Sequence, residues 1–165
     1  MNIAIIYLIL RTSHKKPKIY NLKLTMLKQI KHLFMTYRNG IVADTLRKAG
    51  MPYSIIFGLL LPQISAIARE FEPSMDLAMQ LWRDSNVRES RLLACYLFPS
   101  DEITESKALE LAKSLQTKEE ADILCFRLLR RLHFAETLSL KLTSAESPLT
   151  SYCGEALRRN LDSLM

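Results

Sequence analysis

The chain has 165 residues, enough for one domain with a buried core and too few for a second of ordinary size. Lysine and arginine exceed aspartate and glutamate by 23 to 17, a net charge of +6 that suits an anionic partner without requiring one. Four glycines exclude a credible nucleotide fingerprint or phosphate-binding loop, and three histidines without HxxH or HExxH spacing exclude an ordinary zinc site, so neither cofactor nor metal is expected.

Met1 to Leu10 is nearly all apolar, but ten residues cannot cross a hydrocarbon core that needs about 20. No positive segment precedes the run and no convincing small-residue cleavage site follows it. It reads as an edge strand or extra helix, as a disordered tail, or as translation begun upstream of a real start near Met26. The favoured reading makes residues 1–22 a peripheral appendage, closed by the basic, proline-broken linker His14 to Tyr20. A single domain then spans residues 23–165. Residues 1–50 hold ten basic side chains and one acidic, which concentrates positive charge at that end.

Leu24, Leu27, Ile30 and Phe34 follow a 3.6-residue period and predict a first amphipathic helix, punctuated by Asn39-Gly40. A short helix is expected from Ile41 to Lys48, stopped by Gly50 and Pro52. Pro62 suits the first turn of a helix reaching Phe71. Pro73-Ser74 breaks and recaps the chain, and Leu77, Ala78 and Leu81 carry the next helix to Trp82. Asn86 with Glu89 has capping-box spacing before a helix that runs to Pro99. Another helix runs from about Ile103 to Gln116, and Thr117 with Glu120 makes a second capping box before a helix holding Leu124, Leu128, Leu129 and Leu132. A weaker helix covers His133 to Leu142, and Ser147-Pro148 launches the last one toward Met165.

Eight or nine short helices with no strand run in the body of the chain predict an all-α fold. Helices this short must stack to bury their apolar faces. Pairs recurring at roughly 30 to 45 residues point to antiparallel pairs forming a short α-solenoid of the HEAT type, against a globular helical bundle. Cys95, Cys125 and Cys153 lack zinc or redox spacing and read as free thiols, two of them in apolar helical stretches, which suits a reducing cytoplasm.

The corner Leu81-Trp82-Arg83-Asp84-Ser85-Asn86-Val87-Arg88-Glu89-Ser90-Arg91-Leu92-Leu93-Ala94, together with Met75 to Ala78, Tyr96 to Pro99 and the Phe57-Gly58 element ahead of it, resembles the HEAT-like bacterial DNA alkylation repair enzymes. The likeness spans roughly residues 35 to 142. It implies a curved solenoid holding double-stranded DNA on a basic face, and excision of positively charged N-alkylated purines by cleavage of the N-glycosidic bond. It also implies an aromatic residue and an aspartate close together on the helix after the next turn. Asp122 stands at the aspartate position and becomes the candidate catalytic carboxylate; Lys118 stands where the family has tryptophan. A carboxylate near the sugar would stabilise growing cationic character, whereas a lysine would repel such a substrate.

On a helical projection Asp122 falls at the margin of the apolar arc beside Phe126, with Arg127, Arg130 and Arg131 on the other side. The first two of these arginines, Arg131, Lys118, Lys28, Lys31, Arg38, Arg47, Lys48, Arg158 and Arg159 are the candidate DNA-contacting cations, and Lys23 belongs with the amino-terminal group. Trp82, Asn86, Arg88 and Glu89 are the candidate repeat corner: the indole either closes an apolar seam or wedges against DNA, and Arg88 and Glu89 pin the turn. Arg83, Arg88 and Arg91 are alternative phosphate contacts. Three functions compete on these residues: a DNA glycosylase for alkylated purines, a non-catalytic DNA-binding module, and a helical-repeat module for protein partners.

Overall fold

The computed structural model of the chain describes residues 17–163, with side chains from residue 24 onward; the expectations for residues 1–16 lie outside them. The described residues are all-helical. Nine α-helices follow one another: α1 (Pro17–Thr36), α2 (Gly40–Lys48), α3 (Leu61–Ala68), α4 (Met75–Arg83), α5 (Arg88–Leu97), α6 (Glu105–Lys113), α7 (Lys118–Arg127), α8 (Ala135–Thr143) and α9 (Pro148–Asp162). The first begins at Pro17, so the expected linker is helical from that residue, and proline there suits a first turn, where no intrahelical donor is needed.

Short polar side chains cap four of the nine starts. Asn39 Oδ1 accepts from the Val42 amide (3.2 Å), Ser74 Oγ from Leu77 (3.4 Å), Thr104 Oγ1 from Lys107 (3.2 Å) and Thr117 Oγ1 from Glu120 (3.1 Å). Helix α3 stops at Ala68, short of the expected Phe71. There the amides of Arg69, Glu70 and Phe71 tighten onto carbonyls three residues back, as the chain leaves the helix ahead of Pro73.

Two further expectations are corrected. The helix expected to run from Thr117 through Leu132 ends at Arg127, and Leu129–Arg131 forms a separate 3₁₀ turn. Leu128, Leu129 and Leu132 are all buried from this broken path, so the apolar spacing survives although the helix does not. The Asn86 and Glu89 capping box does not form either. Val87 starts α5 without a side-chain cap, and Glu89 turns away to accept backbone donors from another part of the chain.

One continuous core runs from Ile30 and Phe34 of α1 to Leu157 of α9, with a small satellite of Ala43, Tyr53 and Ile56 beneath α2. Helix α4 packs on α5 and α8 on α9; α3, α5, α7 and α9 each pack on the next, while α6 packs on α8. The only sheet-like feature among the described residues is an isolated parallel bridge between Ile55 and Val87. No helix among them is long and apolar enough to cross a membrane.

Gly58 lets the chain ahead of α3 pass close against the start of α2. Its φ is +80°, and a Cβ there would lie 2.2 Å from the Asn39 carbonyl oxygen and 2.7 Å from the Ala43 amide nitrogen. Both obstacles are backbone and cannot swing aside. Gly58→Ala is therefore expected to destabilise the protein by about 1–2 kcal/mol for the left-handed conformation and about 1–3 kcal/mol for the clash. Chemical denaturation would measure the loss, and an unchanged midpoint would refute this account of Gly58.

Candidate functional site

The Leu81 to Ala94 corner folds into a buried charged joint. Its side chains come from the start of α5, where Arg88 is 4% exposed, Glu89 0% and Arg91 2%. Glu89 accepts the amides of Phe57 (3.0 Å), Gly58 (3.0 Å) and Leu59 (3.3 Å), so it fastens the strand of chain entering α3. Arg88 donates to Glu89 Oε1 (3.0 Å), to the Leu59 carbonyl (3.0 Å) and, through Nε, to Glu119 of α7 (2.8 Å). Burial disfavours the Arg88 charge, but the Glu119 hydrogen bonds and the charges of Glu119 and Glu89 outweigh it and raise its pKa.

Arg91 makes the matching pair one turn later. Its Nε and one terminal nitrogen each reach Glu120 at 2.8 Å, while the terminal nitrogens also donate to the carbonyls of Trp82 and Ser114 at 2.7 Å. The guanidinium lies 3.5 Å from the Trp82 ring centroid. Trp82 is 3% exposed and its indole N–H donates to Ser114 Oγ at 2.9 Å, so the indole closes a seam between helices and meets no solvent ligand. Asn86 contributes only its carbonyl, to the Ile55 amide at 2.9 Å. The phosphate-contact alternative for Arg88 and Arg91 is thereby corrected: both are buried on carboxylates. Arg83 alone of that set is exposed.

Glu120 also accepts from the Tyr53 hydroxyl (2.6 Å) and the Gln116 amide (2.8 Å). Burial, then the Glu120 charge, pushes the Tyr53 hydroxyl far above its ordinary value. Two thiols behave similarly. Burial raises Cys95, and the Cys153 hydrogen bond followed by burial raises Cys125; all three cysteines are free and buried, which makes them poor nucleophiles.

These raised values make folding weaker in alkali. Above the ordinary values of 9.0 for cysteine and 10.0 for tyrosine, the unfolded chain loses protons that the folded chain keeps. Stability is therefore full below that range and falls as pH rises through it, by about 1.4 kcal/mol per pH unit for each such group. Urea melts on the alkaline side should show this decline, and Tyr53→Phe should flatten its upper part. An alkaline slope identical in parent and variant would rule out the Tyr53 assignment.

An open groove of about 550 Å³ is bordered by α5 and α7 as well. Leu61, Pro62 and Ser65 of α3, Tyr96 of α5, Asp122, Ile123, Phe126 and Arg127 of α7, and Asn160 of α9 line it. Every contribution comes from the row α3, α5, α7 and α9. Asp122 is exposed and accepts the Tyr152 hydroxyl of α9 on both carboxylate oxygens, at 2.9 and 3.2 Å. Burial, then the Asp122 hydrogen bond, raises the Tyr152 pKa. Lys118 Nζ sits 5.0 Å from the Tyr152 ring centroid and the Arg159 guanidinium 5.5 Å from it. Lys118 thus occupies the expected aromatic position, while α9 supplies an aromatic ring beside Asp122.

The helical projection had placed Arg127 away from Asp122. The groove holds both, because α7 ends at Arg127 and its long side chain lies 4.3 Å from the Tyr96 ring centroid. Arg130 lies 3.8 Å from the Phe126 ring. Among the other candidate cations, Lys28, Arg38, Lys48, Arg131 and Arg158 are exposed. Two are already engaged: Lys31 pairs with Asp84 and donates to Ser90 Oγ (2.9 Å), and Arg47 pairs with Asp44 (2.8 Å) and donates to the Ile56 carbonyl (3.2 Å). The Lys23 side chain lies outside those described.

Sequence reasoning missed Tyr53, Tyr96 and Tyr152 as members of these sites, and it read Glu120 only as a cap. Its one available signal was the adjacent acid pair Glu119-Glu120, which matches Arg88 and Arg91 spaced one helical turn apart. Comparison of the chain with models of known protein families, with curated proteins and with solved structures finds no match in any of the three.

Proposed function

We propose that the chain is a short HEAT-like solenoid that binds double-stranded DNA, in the manner of the alkylation repair enzymes its Leu81 to Ala94 corner resembles. The solenoid reading is supported by the helix pairing, in which α3, α5, α7 and α9 form one row and α4 and α8 pack behind it. The observation that carries the DNA reading is the groove along that row. It combines one exposed carboxylate, aromatic side chains and a border of arginine and lysine. Phosphates provide the long-range attraction for the cations, and a positively charged base is the one part of a damaged duplex that a carboxylate would attract.

A second reading, excision of the N-alkylated purine, is favoured specifically by Asp122. Cleavage leaves the bonding electrons on the departing purine and positive charge on the sugar, and a carboxylate stabilises that charge. Tyr152 would hold the carboxylate in place, while Lys118 works against cation binding; the two readings therefore separate on chemistry and not on affinity.

The test is duplex affinity measured against salt, with base release followed on the same preparation. DNA binding predicts a log–log slope of about −0.9 for each phosphate engaged. Absence of binding at low salt would remove both DNA readings and favour a protein partner for the groove.

A further inference from the structure

Arg127 and Arg130 stand out because nothing anionic meets them among the described residues. Elsewhere the chain supplies acids to its inward-turned arginines: Arg88 has Glu89 and Glu119, and Arg91 has Glu120. Arg127 and Arg130 are both half-buried, and among the described residues their partners are rings alone. Arg127 contacts Tyr96 at 4.3 Å and Phe126 at 5.0 Å, Arg130 contacts Phe126 at 3.8 Å, and Arg127 Nε is buried with no acceptor. The nearby Tyr96 hydroxyl is likewise buried and unpartnered.

Aromatic rings stabilise a guanidinium through its charge and fix its position, but they offer no acceptor to its N–H groups. A half-buried cation in this state carries an uncompensated desolvation cost. Two such cations sharing the Phe126 ring also repel each other. An anion with several oxygens would relieve both effects at once, and phosphate geometry matches the planar fork of arginine.

We infer that Arg127 and Arg130, steadied by Tyr96 and Phe126, form a clamp for a phosphodiester of the DNA strand whose cationic nucleotide faces Asp122. This rests on the DNA-binding reading and adds a defined anchor to it. The charge pattern selects a nucleotide over a simple anion, because Asp122 in the same groove repels an anion and attracts a cation. Asp122 and Arg127 are five residues apart on α7, a rise of about 7.5 Å.

The experiment uses the full chain labelled with ¹⁵N-arginine, reading the side-chain Nε–H resonances while inorganic phosphate or a short duplex is added. Arg127→Gln and Arg130→Gln assign the signals. Saturable shifts at Arg127 and Arg130 with both additions, and none at Arg131 with phosphate, are the expected result. In salt titrations the double variant should show a slope shallower by about 0.9, the share of the one clamped phosphate. Duplex binding with neither resonance moving and the slope unchanged in the double variant overturns the clamp and leaves the DNA reading standing. Shifts with phosphate but no duplex binding overturn the DNA reading and leave an anion site whose source is a free phosphate group. No shift with either addition overturns the clamp on the parent chain, whatever the folding of the variants.

Discussion

Replacing Glu120 with glutamine is expected to cost about 3–5 kcal/mol of folding stability, the range for removing one partner of a buried ion pair. Glu120 is 0% exposed and Arg91 2%, so the arginine left behind has no access to water. The substitution keeps shape and volume, which excludes a cavity as the cause of the loss. It removes the charge that Arg91 meets twice at 2.8 Å and weakens the acceptor of the Tyr53 hydroxyl and the Gln116 amide. At about 2–4 °C per kcal/mol for a chain of this size, the midpoint should fall by about 6–20 °C. Glu119→Gln should cost less, because its side chain is 22% exposed and Arg88 retains Glu89. Pairing Arg91→Met with Glu120→Met should cost less than the sum of the single changes, since no lone charge remains. A Glu120→Gln loss under about 1 kcal/mol would place this pair with surface salt bridges and refute its role as the joint between α5 and α7.

That joint also shows how far the sequence was legible. Helix existence was readable nearly everywhere, because apolar spacing and the caps at Ser74 and Thr117 are local properties. Boundaries failed where tertiary contacts override local pattern. Leu124, Leu128, Leu129 and Leu132 keep helical spacing although the backbone breaks after Arg127, since both sides of the break face the same core. Glu89 failed for the same reason: its capping-box spacing was genuine, but three backbone amides at Phe57 to Leu59 offered it a buried destination some 30 positions away in the chain. Asp122 was reached through a resemblance, but its partner Tyr152 lies on another helix with no local sequence signal linking them. Arg127 was placed on the wrong side because a projection assumes that the helix continues and that side chains point radially. A long arginine at a helix end obeys neither assumption.

Asp122→Asn is expected to lower base release from an alkylated duplex by about 10²–10³-fold, the usual effect of deleting a positioned group that stabilises transition-state charge. Binding of an unmodified duplex should hold or tighten slightly, because the change removes a negative charge from a surface bordered by Lys118, Arg127 and Arg159. This opposition of effects makes the variant informative. A fold defect would weaken both measurements, whereas loss of a catalytic carboxylate weakens only release. Folding should be little affected, since Asp122 is exposed and among the described residues its hydrogen bonds are those from Tyr152. Tyr152→Phe then grades the mechanism: the ring stays beside Lys118 and Arg159, the hydrogen bonds to Asp122 vanish, and release should fall by less than in Asp122→Asn. Release at parental rate in Asp122→Asn would remove the carboxylate from the chemistry. If the parent releases no base, Lys118 is the residue to change. Lys118→Trp would replace a cation beside the groove with an electron-rich ring, as in the repair enzymes that the corner resembles, and gain of release by that variant would show that the cation at 118, not the position of Asp122, had silenced the site.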